Sequence, residues 1–98
     1  MERERKVYTL DGAAAGDRET LHRYLRGQLP LPEYYGDNLD ALYDALTDIA
    51  EDTVIELENA ECFELCLGWY GRQLMRVLQD AAEDNEYLTI NKEKEREG

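Results

Sequence analysis

The chain has 98 residues, with 11 Lys and Arg against 23 Asp and Glu, and a net charge of -12. That length makes one domain with room for a core, and 43% hydrophobic and 9% aromatic residues suit a folded chain rather than a disordered one. A field of one negative sign excludes nucleic acid and anionic membrane as partners and favours a basic protein.

Along the chain, the charged opening MERERK leads directly into a strand-like run, so no apolar secretion signal is expected. The run "KVYTLDG" (6–12) reads as a first strand that closes on an Asp-Gly turn. Leu21, Tyr24, Leu25 and Leu29 then recur at helical spacing, with Asp17 as N-cap. Arg18, His22, Arg23 and Arg26 are read as the solvated face of this helix. Both prolines fall in "LPLPEYYG", which stops the helix, and a second helix starts at Asp37 or Asn38 and runs to about Ile49. "TVIEL" (53–57) is the second strand. A helical region over 62–84 follows, and Gly68 and Gly71 predict a break near "GWYG". "YLTIN" (87–91) is the third strand, and residues 92–98 are a solvated charged tail.

Strands separated by helices require crossovers, so the expected fold is α/β: one domain over 1–98 with a small three-stranded parallel sheet packed with helices. Leu29, Leu42, Leu46, Val54, Ile55, Leu74, Leu78, Leu88 and Ile90 are the expected core, and Trp69 and Tyr70 are assigned to packing as well. Cys62 and Cys66 are expected to be buried thiols. With one histidine far away in sequence they make no metal site. Neither metal nor cofactor is expected. No apolar run is long enough to span a membrane, and the expected compartment is the cytoplasm.

The charge is unevenly distributed. No Lys or Arg occurs between Arg26 and Arg72, a window that holds eleven acids. On a helix of about 100° per residue with Leu39 at zero, Leu42, Leu46 and Ile49 complete an apolar stripe centred at roughly 320°. Asp37, Asp40, Asp44 and Asp48 fall between roughly 100° and 180°, almost opposite, with Tyr43 and Thr47 flanking the row. Acids in the first turn are favoured by the helix dipole, but Asp44 and Asp48 lie beyond that help, and i,i+4 repulsion costs about 0.2–0.5 kcal/mol per pair. A row that local stability disfavours is a candidate for binding.

Catalysis is the poorer reading of the same residues. Paired carboxylates that act as acid and base need a concave, partly dry site to separate their pKa values, and a convex face opposite a buried stripe gives none. The sequence has no glycine-rich phosphate loop, nucleophile–histidine arrangement or calcium-loop pattern. No catalytic residue is assigned.

The segment "LPEYYGDNLDALYDALT" (31–47) strongly resembles the barstar family of intracellular ribonuclease inhibitors, and the order of elements from Val7 to Asn91 agrees with it. The resemblance implies that loop and helix plug a ribonuclease active site. Tyr34, Asn38, Leu39, Asp40, Tyr43, Asp44 and Thr47 match interface positions. Asp44 takes the place of the central acid that stands where a substrate phosphate binds, and Asp48 lies at the rim. Asp80, in "VLQDAAEDN", matches a further acidic interface position. Tyr43 replaces a tryptophan of the family pattern, Asp48 a glycine and Ile49 another tryptophan, so the implied partner is a basic ribonuclease that need not be barnase. The expected complex is one-to-one, formed by a free monomer. The alternative is an interaction or immunity module on the same scaffold whose basic partner is not a ribonuclease.

Overall fold

A computed structural model describes residues 5–92. Its elements are β1 (Lys6–Asp11), a 3-10 turn (Gly12–Ala14), α1 (Arg18–Gln28), α2 (Leu39–Thr47), β2 (Thr53–Glu58), α3 (Ala60–Leu67), α4 (Trp69–Asp84) and β3 (Leu88–Lys92). The three strands form one parallel sheet in the order β1-β2-β3, with Val7 opposite Val54 and Val54 opposite Thr89. This is the α/β architecture expected from the sequence. Boundaries move by a residue or two, and Lys92 belongs to β3 rather than to a tail; the remainder of that expected tail, 93–98, lies outside the described residues.

Parallel crossovers are nearly always right-handed, and each strand here is added on the same side of the last. Both helical connections therefore fall on one face of the sheet. The burial alternation agrees: Ile55 and Leu57 are buried beside exposed Glu56 and Glu58. Leu10 and Leu88 join the buried face, while Thr89 and Asn91 lie on the open one. All-parallel sheets are usually covered on both faces; among the described residues the second face of this one carries exposed Glu56, Glu58, Thr89 and Asn91, with only Val54 buried in β2 on that side.

The core unites Leu10, Leu21, Leu25, Leu42, Leu46, Ile55, Leu57, Phe63, Leu74 and Leu78, all essentially inaccessible. Of the expected core only Ile90 is merely half-buried. α1 is capped by Asp17, whose carboxylate accepts the Thr20 N–H at 2.8 Å. The predicted helix break occurs at Gly68, where φ is 61° and ψ is -130°, a backbone that L-residues avoid. Gly71 serves packing: a Cβ there would lie 2.0 Å from the Phe63 carbonyl oxygen, so α3 and α4 meet backbone to backbone.

Three expectations about side chains are corrected. His22 is not on a solvated face: it is 3% exposed and hydrogen-bonded on both ring nitrogens, so α1 buries polar surface as well as leucines. Cys62 is half-buried and Cys66 exposed, because α3 is short and turns only Phe63 fully inward. Trp69 is 65% exposed, whereas Tyr70 is half-buried. Among the described residues, no helix is long and apolar enough to cross a membrane, and no three His, Cys, Asp or Glu side chains gather as metal ligands.

Candidate functional site

α2 buries Leu42 and Leu46 and turns Asp40 and Asp44 outward, with Asp48 just past its C-terminal end. Asn38 is the cap: its Oδ1 accepts the Ala41 N–H at 2.7 Å, which satisfies one of the orphan donors of the first turn. Asp37, placed on the acidic row from the sequence, is not part of it. It precedes the cap with a left-handed φ of 55° and accepts Arg26 Nε–H at 2.9 Å. That hydrogen bond holds the Asp37 carboxyl below the ordinary value of 3.8. No cation among the described residues pairs with Asp40, Asp44, Asp48 or Asp80.

The entry loop is fixed from behind. Arg26 Nη2 donates to the Tyr35 carbonyl at 3.0 Å while its Nε holds Asp37, so one guanidinium grips both ends of the bend. Tyr35, 4% exposed, reaches His22 Nδ1 with its hydroxyl at 2.6 Å, and His22 Nε2 meets the Tyr70 hydroxyl at 2.7 Å. A neutral imidazole has one donor and one acceptor, so one tyrosine donates and the other accepts. Burial lowers the His22 pKa and raises that of Tyr35, which keeps the chain of hydrogen bonds uncharged. The loop, α1 and α4 are tied together through it.

The far end of α2 is fixed by Asn85, which is buried after α4. Its Nδ2 donates to the carbonyls of Leu46 and Ile49, each at 2.9 Å, and its Oδ1 accepts the Tyr87 N–H. The Leu46 carbonyl also accepts the Ile49 N–H at 3.3 Å, so Asn85 adds a second donor in the last turn and reaches the Ile49 carbonyl just beyond the helix. Thr47 is half-buried and donates its hydroxyl back to the Tyr43 carbonyl at 2.9 Å. Tyr43, also half-buried, donates its hydroxyl to the Asp84 carboxylate, which raises the Tyr43 pKa and bridges α2 to α4. Asp80 is exposed one turn earlier on α4.

The sequence-derived residues therefore divide into three places. Tyr34, 85% exposed, lines a groove of about 540 Å³ on one flank of α2 together with Asp44, Asp48, Ile49 and Tyr8. Asn38, Leu39 and Asp40 line a second groove of about 730 Å³ on the other flank. Tyr43, Thr47 and Asp80 lie in neither lining; Tyr43 is turned toward α4 through Asp84, and Asp80 is exposed on α4 one turn before Asp84. The sequence reading missed Asn85, Asp84 and Trp69, the last of which lines the second groove. Trp69 was legible: at about 100° per residue it lies roughly 180° from Leu78 and 140° from Leu74, away from the buried face of α4.

Comparison with known proteins agrees with this geometry. The family described as "Barstar (barnase inhibitor)" matches over residues 5–96. The Bacillus subtilis (strain 168) protein named "Putative ribonuclease inhibitor YrdF" is 38% identical over 76 residues, which are 76% of this chain and 84% of that one. Matched along nearly its whole length to that family, the chain belongs to the barstar family.

Proposed function

We propose that the chain inhibits a basic, barnase-like ribonuclease by inserting α2 and the 30–37 loop into its active site, one inhibitor per enzyme. Asp40 and Asp44 stand in for RNA phosphates there, and Asp80 extends the negative surface. A carboxylate accepts paired hydrogen bonds from an arginine much as a phosphate does. The observation that carries the reading is that these carboxylates point outward on a helix clamped at both ends, with no cation of the described residues to neutralise them. A preformed surface of this kind loses little conformational entropy on docking.

Tyr34, Asn38, Leu39, Tyr43, Thr47 and Asp48 surround the acids and tune discrimination. Because Tyr43 is already engaged by Asp84, and Asp48 and Ile49 depart from the family pattern, the rim suits an enzyme that differs from barnase in its peripheral contacts. Such an inhibitor acts in the cytoplasm, where cellular RNA needs protection, as an immunity protein would.

Cleavage of RNA by barnase and related basic ribonucleases, measured with increasing amounts of the chain, tests the proposal. Stoichiometric inhibition that disappears in Asp44→Ala is the expected result. If cleavage is untouched and tagged chain instead retrieves an unrelated basic protein through the same aspartates, the interaction-module reading replaces this one.

A further inference from the structure

We propose that the groove beside α2 holds an arginine side chain of the ribonuclease, stacked on the indole of Trp69 with its guanidinium reaching the Asp40 carboxylate. The inference rests on the ribonuclease reading and extends it to a residue outside the acidic helix and its loop.

Trp69 is the chain's one tryptophan and, at 65% exposed, a large apolar surface left in water. It shares the lining of the 730 Å³ groove with Leu39, Asp40, Tyr70 and Val77. Exposed tryptophan beside a polar rim is the composition of an interface anchor. The electrostatics select the occupant. The lining carries one cation, Arg18, against the carboxylates Glu19, Asp37 and Asp40. Asp37 is taken by Arg26, and Asp40 has no cationic partner among the described residues.

The groove also displays the chemistry it would use. The Arg18 guanidinium carbon sits 4.1 Å from the centroid of the Tyr70 ring, so one aromatic face there already bears a guanidinium. Trp69, the better cation–π partner, has no such contact from this chain among the described residues. An incoming arginine can lay its aliphatic stem along Leu39 and Val77, its planar head on the indole and its N–H groups on Asp40. A lysine could use the acid but would stack less well. Continuity with α2 places this contact at the edge of the same docked face.

Among barnase and related basic ribonucleases, the enzyme that wild type inhibits most strongly is used to measure inhibition by wild type, Trp69→Ala, Trp69→Phe, Asp40→Asn, the Ala/Asn double variant and Asp44→Ala, and the chain labelled with 5-fluorotryptophan is titrated with that enzyme by 19F NMR. Trp69→Ala is expected to weaken inhibition about tenfold or more without moving the thermal midpoint, since the side chain is exposed. Trp69→Phe recovers part of the loss. The double variant loses less than the product of the single losses, because both act on the same arginine. The fluorine resonance shifts on binding.

Inhibition by Trp69→Ala within twofold of wild type, while Asp44→Ala has lost it, overturns the inference and leaves the ribonuclease reading standing. Wild type that leaves barnase and the related basic ribonucleases all as active as Asp44→Ala does removes both together. A fluorine resonance that shifts with the chain's own concentration before the ribonuclease is added assigns the groove to a second copy and also overturns it.

Discussion

The side-chain amide of Asn85 donates to the Leu46 carbonyl across 2.9 Å and, with its second hydrogen, to Ile49. A single buried residue thus stands in for the missing next turn of α2. Asn85→Ala takes the side-chain partner from the Ile49 carbonyl and the Tyr87 N–H and leaves the Leu46 carbonyl only its 3.3 Å bond from the Ile49 N–H, which lowers unfolding free energy by about 1–3 kcal/mol. Urea denaturation measures it, and hydrogen exchange should locate the loss at 46–49 and the start of β3. Full stability in that variant would show that water replaces the amide at no cost.

The exposed acids behave oppositely. Asp44 lies one turn from both Asp40 and Asp48, so Asp44→Ala relieves two i,i+4 repulsions and is expected to be neutral or more stable by up to about 1 kcal/mol. Its affinity for the ribonuclease should fall roughly 30-fold or more, the general cost of stripping one partner from a desolvated charge pair, a rule for which barnase–barstar complexes are themselves the standard example. Thermal melts and inhibition titrations on the same sample separate the two effects. A variant that both unfolds and fails to inhibit would assign Asp44 to the fold.

Gly71→Ala probes the α3–α4 contact. The added methyl would overlap the Phe63 backbone, which cannot swing away as a flexible side chain would, so the helices must part. Destabilisation of about 1–3 kcal/mol is expected, read from the shift in the urea midpoint. Gly68→Ala faces no neighbour within 4 Å, and its cost, of similar size, comes from the positive φ instead.

How much could be read beforehand depended on the kind of signal. Runs of β-formers with turn signals placed the three strands, period-3.6 leucines placed the helices because burial of Leu sets that period, and Gly68 and Gly71 marked the break between α3 and α4. The outward acids of α2 followed from the same geometry. The structure departs from the sequence reading where polar groups find distant partners: His22 with Tyr35 and Tyr70, Asn85 with α2, Asp37 with Arg26. A one-dimensional pattern gives a histidine among arginines a solvated face, since nothing nearby in sequence announces a hydroxyl 48 residues away. Trp69 was misassigned for a different reason, the averaging of its surroundings over the Gly68 break, where the helix axis changes direction.

His22 makes the fold sensitive to mild acid. Burial, reinforced by Arg18 and Arg26 and only partly offset by Asp37, lowers its pKa from 6.5. Above that value the ring is neutral in both folded and unfolded chain, and its titration contributes nothing. As the pH falls through 6.5 the unfolded chain takes up a proton that the folded one refuses, so stability declines until the folded pKa is reached, at no more than about 1.4 kcal/mol per pH unit. Asp37, held low by Arg26, gives up its own contribution only below 3.8, outside this window. Urea midpoints of wild type should therefore drop between pH 7.5 and 5.5, while His22→Gln, less stable throughout, should run flat across the same range. Parallel curves for the two would mean that His22 takes its proton inside the folded protein, with both ring nitrogens donating to Tyr35 and Tyr70.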